Sequence, residues 1–404
     1  MDIWYNWTDF EVNRAGDFLM RTSKTLTVAA VTAAAITAGG LLTVSALASP
    51  AHPAAPKQNF PSYSVKVILK GANLRHKNSK TGKNEALSLP DDITQYGGNL
   101  YTAFQNGVGP QGQAATDGNK DSTIVEFTPG GSVVGQWDVT GKVDGLTANP
   151  ATGDVIATVN EDLYSSLYDV TPGGTVVHYQ YNKALPHNGG TDAISFYKGQ
   201  MMISASAPGT TGAAAPNAKY PAVYVVTLNS TTRVATVKPY FWDESSAHRA
   251  NVHLGAGVKL ALTDPDSNEV VPSVAPRFRN DFMLTSQGDE EQIYSANSGS
   301  LWVLKLPASV DDTAWATSWG GTLYATDNGA GTVNAVDSRL FWPGTAFVAV
   351  TPCDENGAPA TCPGPGFPAN YLGLLDMYNG QITKVELHGG TLHPQGMVFV
   401  DASS

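Results

Sequence analysis

The chain has 404 residues and a formal net charge of −11, with 15% charged residues, 41 Gly and 25 Pro. Charged helix formers are far below the usual share of about 25%, which excludes a coiled coil, a helical bundle and a charged disordered chain. So acidic a chain cannot neutralise a row of phosphates, and a nucleic-acid partner is excluded as well.

Taken from the start, Met20-Arg21-Thr22-Ser23-Lys24 is a short basic segment. Residues 25–48 follow without a charge and end in Ala46-Leu47-Ala48, the small-x-small pattern of a signal-peptidase site. This predicts a secretory signal cleaved after Ala48, an upstream extension at 1–19, and a Pro/Ala-rich linker at 49–59. The protein is then secreted. The alternative is an uncleaved anchor, since the run is long enough to span a bilayer.

From residue 60 to residue 404 the chain repeats. Gly98-Asn-Leu-Tyr-Thr-Ala-Phe-Gln, Gly153-Asp-Val-Ile-Ala-Thr-Val-Asn, Gly199-Gln-Met-Met-Ile-Ser-Ala-Ser, Asn280-Asp-Phe-Met-Leu-Thr-Ser-Gln and Gly321-Thr-Leu-Tyr-Ala-Thr-Asp-Asn share one pattern and are each about one strand long. Hairpins follow most of them. Ile124-Val-Glu-Phe-Thr-Pro-Gly-Gly-Ser-Val-Val nearly recurs as Leu167-Tyr-Asp-Val-Thr-Pro-Gly-Gly-Thr-Val-Val, two β-runs around a turn. A further short strand opens most units, beginning at Asp91, Asp144, Asp192, Asp312 and Gln395. A repeated four-stranded unit of about 40–50 residues is a β-propeller blade. The prediction is an all-β, six-bladed β-propeller over 60–404, with seven blades as the alternative. The N-terminal strand, 63–71, completes the last sheet and closes the ring with the C-terminal one. Two stretches, 264–279 and 331–369, read as insertions.

The second insertion carries Cys353 and Cys362. In a Pro/Gly-rich loop of a secreted chain they read as one local disulfide. No third Cys and no nearby His completes a metal set.

With these repeats the chain resembles the NHL-repeat and gluconolactonase/strictosidine-synthase-like group of propellers, in a secreted bacterial version. Val143-Asp144-Gly145-Leu146 followed by Gly153-Asp154-Val155-Ile156 carries the resemblance best. It implies that Asp144, with Asp91, Asp192 and Asp312 at the corresponding places, holds Ca²⁺ or another divalent metal at the channel mouth. Gln395 takes that place in the last unit, and the Gly-Glu-x-Pro segment that supplies a glutamate ligand in that family is absent. Physical reasoning runs beside this. Carboxylates converging on one axis raise each other's pKa unless a cation compensates, and hard oxygens suit Ca²⁺ or Mg²⁺. The plain alternative is that each Asp accepts N–H bonds within its own turn.

Asp264-Pro-Asp266-Ser-Asn268-Glu269 has the spacing that opens a calcium loop, but Glu269 and Ala275 stand where Gly and Glu are needed. It reads either as a surface calcium loop on Asp264, Asp266 and Asn268 or as a solvated acidic turn. His393 and His187 precede inner strands and are the candidate general bases, with an unassigned loop role as the alternative. There is no G-x-S-x-G, phosphate loop or H-E-x-x-H. Two functions remain. One is a monomeric extracellular propeller binding a small molecule or a protein on one channel face. The other is a metal-dependent lactonase or esterase-type hydrolase.

Overall fold

The computed structural model describes residues 62–186, 189–206, 220–352 and 369–402. The signal segment, the linker, His187, Cys353 and Cys362 lie outside the described residues. Among those described, one helical element occurs, the single 3₁₀ turn Gly71–Asn73. Everything else regular is strand.

Strand pairing gives six antiparallel four-stranded sets among the described residues. The first sheet runs outward from Pro90–Tyr96 through Asn99–Phe104 and Asp121–Phe127 to Val133–Thr140. The second runs from Val143–Ala148 through Val155–Val159 and Ser166–Val170 to Val176–Tyr181. The third is Ile194–Tyr197, Gln200–Ser204, Pro221–Asn229 and Val234–Trp242, and its outer strand also touches that of the second through a short parallel pairing. The fourth is Pro265–Val270, Phe282–Ser286, Glu291–Ser295 and Leu301–Lys305, widened by the hairpin of Ser246–Arg249 and Gly257–Lys259.

The last two sheets interleave. The fifth holds Val310–Trp315, Ala346–Val350, Tyr371–Leu375 and Ile382–Lys384. The sixth holds Met397–Asp401, Gly321–Asp327, Thr332–Ser338 and Tyr63–Lys70, with Leu387–His388 at its rim. After laying down the innermost strand of the fifth sheet, the chain crosses to build the middle of the sixth, then returns. The first and last strands thus share one sheet, joined through the hairpin of Gly321–Asp327 and Thr332–Ser338.

Burial follows from this stacking. Val155–Val159, Phe282–Ser286 and Ala346–Val350 are buried at every position, because a middle strand is covered on both faces, and their sequences are nearly unbroken apolar runs. Six apolar clusters fill the six interfaces between consecutive sheets. Leu69, Leu100, Phe104, Tyr324 and Val333 pack the sixth sheet on the first and close the ring. Each large side chain so buried contributes about 1.5–3 kcal/mol. The two Thr-Pro-Gly-Gly turns close with the fourth residue's N–H on the Thr carbonyl, Gly131 to Thr128 and Gly174 to Thr171, both at 2.8 Å. The left-handed residue is Gly131 in one and Gly173 in the other, so a glycine pair accommodates either turn type.

The fold is an all-β propeller. Three expectations about its parts are corrected. The stretch 331–369 is no simple insertion: it contains Thr332–Ser338 of the sixth sheet and Ala346–Val350 of the fifth. Gly321–Asp327 does not belong with the strand at Asp312; it pairs with Met397–Asp401. A strand's own pattern encodes its burial but not which neighbour it joins. The stretch 264–279 is likewise no insertion, because Pro265–Val270 is the innermost strand of the fourth sheet.

Candidate functional site

All six innermost strands begin at one end of the channel, and they lie side by side around a closed ring. Four of them shift register there. The irregularities fall between Pro90 and Ile93, Val143 and Leu146, Pro265 and Asn268, and Val310 and Thr313. Each skips two residues, so the skipped pairs are equivalent: Asp91-Asp92, Asp144-Gly145, Asp266-Ser267 and Asp311-Asp312. Backbone bonds place the other two strands on the same frame. Ser204 accepts from the Asp192 N–H and donates to Ala193, and Thr326 accepts from the Gln395 N–H and donates to Gly396. One position therefore carries Asp91, Asp144, Asp192, Asp266, Asp311 and Gln395. β-Bulges re-aim side chains at such sites.

The next position does different work. Asp92 accepts the N–H of Ile93 and, across the sheet boundary, the N–H of Leu146, both at 2.6 Å. Asp312 repeats this with Thr313 at 2.6 Å and Met397 at 2.5 Å. In both cases the strand reached carries glycine at its own equivalent position, Gly145 or Gly396. A Cβ on Gly145 would stand 2.3 Å from the Asp192 carbonyl oxygen, and one on Gly396 would stand 2.5 Å from that of Asp91. Asp92 and Asp312 are stitches between adjacent sheets.

The ring position faces a cavity of about 720 Å³. Among the described residues ten carboxylates line it, adding Glu161, Asp264 and Glu269 to those above, against a single cation, Lys142. Lys142 Nζ lies 2.8 Å from Asp144 Oδ1 and also pairs with Glu161. Gln105 Nε2 donates to the same Asp144 oxygen at 3.1 Å, while Asp144 Oδ2 is buried with no hydrogen-bond partner. Asp192 and Asp266 share a hydrogen bond. Further along, Ile93, Leu146, Ile194, Trp315 and Phe399 give the cavity an apolar wall.

Burial dominates the titration of this ring. It pushes Asp91 up to about 7, against the pull of Lys142, and Asp312 up to about 6, against the N–H groups of Met397 and Thr313. Burial, then the Glu161 charge, holds Asp144 and Asp192 well above the ordinary carboxylate range. Burial, then Asp192, does the same for Asp266, and burial with Asp312 and Asp92 does so for Glu269. Burial opposes the Lys142 ammonium, yet Asp144, Glu161 and Asp91 outweigh it and raise its pKa. These are the signs of a cavity with too much negative charge for the cations it contains.

The sequence expectations meet this geometry unevenly. Asp91, Asp144 and Asp192 come together on one ring. Asp312 does not join them: it is one residue beyond the ring position, which belongs to Asp311, and its oxygens are committed to backbone donors. The fourth sheet supplies Asp266, which the sequence placed on a surface loop; Asp264, Asp266 and Asn268 are only 6%, 9% and 1% exposed. Asn268 joins two inner strands, donating to the Ala193 carbonyl at 2.6 Å and accepting from Ser195 Oγ at 2.5 Å. His393 is outside the cavity wall. Its side chain is 47% exposed, with Nδ1 3.8 Å from Asp327.

Among the described residues no three His, Cys, Asp or Glu side chains stand together to hold an ion. Asp92 and Asp312 are used as stitches, and one Asp144 oxygen is taken by Lys142. Sequence reasoning missed Asp92, Lys142, Glu161 and Asp311, and it read Asp266 and Glu269 as part of a surface loop. The missed signal is the residue before the acid. Pro90, Val143, Thr191, Pro265, Val310 and Pro394 each precede the ring residue, and aligning on them selects Asp311 over Asp312.

No protein-family profile and no curated protein matches the chain. Solved structures do. A virginiamycin B lyase from Staphylococcus aureus is 10% identical with a TM-score of 0.44, covering 84% of this chain and 96% of that one. A streptogramin B lyase is 11% identical with a TM-score of 0.39, covering 83% and 91%. A proposed 6-phosphogluconolactonase from Bacteroides uniformis is 10% identical with a TM-score of 0.40, covering 84% and 99%. At these scores the likeness assigns neither a substrate nor a reaction.

Proposed function

We propose that this protein is a secreted, non-catalytic binding propeller whose ligand carries positive charge and enters the channel where the inner strands begin. The observation that carries this reading is the imbalance of the wall, ten carboxylates to one lysine among the described residues, with an oxygen of buried Asp144 left without a partner. A buried acceptor without a donor is costly, and crowded carboxylates retain protons until a cation replaces them. A cationic ligand answers both conditions. Diamines, guanidines and divalent ions share the required charge, and the apolar wall beyond the ring favours those with a carbon body.

A metal-dependent lactonase or esterase would need a grouped ligand set and a base at the mouth. Among the described residues the set is not grouped and His393 lies off the wall, so the binding reading stands ahead. The test is calorimetric titration of the full chain at pH 8 with putrescine, Ca²⁺ and, as an anionic control, glutarate. Saturable binding of a cation near one equivalent, weakened at least tenfold by Asp144→Asn together with Asp192→Asn, is the expected result. Binding of glutarate alone, or of nothing, ends this reading.

A further inference from the structure

Lys142 is the one cation in the wall among the described residues, and its anchoring is uneven. Its main chain is clamped: its N–H donates to Asn160 Oδ1 at 3.0 Å and its carbonyl accepts the Asn160 N–H at 2.8 Å. The side chain is a four-carbon stem with a point charge that can rotate as a unit. It ends between two carboxylates at different depths. The Asp144 side chain is 3% exposed, that of Lys142 17% and that of Glu161 26%. Lys142 therefore lies over Asp144 and under the mouth, with Glu161 as an outer partner. Asp144 Oδ2 stays unpartnered beneath it, so one ammonium does not satisfy that carboxylate.

We infer that the Lys142 ammonium is a built-in competitor for the channel's ligand, shared between Asp144 and Glu161 in the free protein and drawn back to Glu161 alone when a ligand cation takes its place at Asp144. This rests on the cationic-ligand reading above. The arrangement works as a threshold. A ligand must outbid a tethered ammonium that is always present, which favours dications over the monovalent ions abundant in any medium. Glu161 supplies the place to which the displaced charge goes, so the exchange leaves no buried ammonium unpaired.

Two substitutions on contacting residues then act in opposite directions. Lys142→Met keeps the stem and removes the competitor; putrescine or Ca²⁺ should bind at least tenfold tighter than to the wild type. Glu161→Gln removes the outer partner and confines the ammonium to Asp144; the same cations should bind severalfold more weakly. Both are measured by calorimetry on the full chain, with circular dichroism reporting the fold. Weakening by both substitutions, or no change in either, overturns the inference while leaving wild-type cation binding intact. Failure of the wild type and of Lys142→Met to bind any cation removes the underlying reading instead. Should Lys142→Met fold only with added cation, refolding in millimolar putrescine decides: recovery supports competition for one place, and no recovery with any cation overturns it.

Discussion

The Asp92 carboxylate leaves its own sheet to accept the Leu146 N–H at 2.6 Å, and Gly145, just before that leucine, has no room for a Cβ. Acid on one strand and glycine on the next form one device, used twice around the ring. Asp312 and Gly396 are its second copy. Seen this way, the acidic inner wall has two separable parts, a structural pair that holds sheets together and a ring that faces the cavity.

The stitches predict a stability loss. Replacing Asp92 by Ala leaves the N–H groups of Ile93 and Leu146 without their acceptor, and each orphaned buried donor costs about 1–3 kcal/mol. Chemical denaturation of Asp92→Ala should show a loss of at least about 2 kcal/mol, and Asp312→Ala should match it. A loss of a few tenths in either would mean the bonds contribute nothing.

The glycines predict a contrast. Gly145→Ala forces a Cβ to within 2.3 Å of a backbone oxygen, an overpacking expected to cost about 1–3 kcal/mol or more. Gly257→Ala meets nothing within 4 Å and should stay within about 0.5 kcal/mol of wild type. Equal melting temperatures for the two variants would contradict the close approach.

The ring predicts an unusual pH profile. The folded carboxyl values, about 7 for Asp91 on the ring and about 6 for Asp312 in the stitch beside it, lie above the unfolded value near 4. Between those values the folded chain binds more protons than the unfolded one, so this contribution is fully present below about pH 4 and is lost as pH rises through about 6 to 7. In chelator-containing buffer the melting temperature should fall from pH 5 to pH 8, and a saturating cation should flatten the slope. A melting temperature that climbs over that range would show that the ring is already neutralised.

Closure predicts dependence on the first strand. Tyr63–Lys70 pairs along its length with Thr332–Ser338, and Leu69 packs in the cluster that joins the sixth sheet to the first. A chain beginning at residue 72 should lose cooperative unfolding and expose the edge at Thr332–Ser338 to aggregation. Retention of a sharp, wild-type transition would show that the ring does not need this strand.

Much of the architecture was legible in the sequence because it is local. The hairpins at Thr128 and Thr171 announce themselves through Pro-Gly-Gly, and the strands around Val155 and Phe282 through their apolar runs. What sequence could not supply was the partner of each strand. Gly321–Asp327 has the same pattern as its counterparts, yet it joins a sheet whose inner strand comes more than sixty residues later. The candidate site was half legible for a related reason. Asp91, Asp144 and Asp192 follow from the repeat. Pro265–Val270, by contrast, is polar because it faces a wet channel, and a polar run reads as a loop until its neighbours are known. Side-chain pairing across strands, as between Lys142 and Glu161, has no signature in one dimension.

The interleaving of the fifth and sixth sheets also bears on synthesis. The sixth sheet joins Tyr63–Lys70 to Met397–Asp401, and its innermost strand is the last of the described strands in chain order. Four sheets can form as the nascent chain emerges, but the fifth and sixth must mature together, and the ring can lock only once Met397–Asp401 has emerged. Until then the growing protein is an open arc with two unpaired flanks, a form well suited to being held by a chaperone and poorly suited to being functional too early.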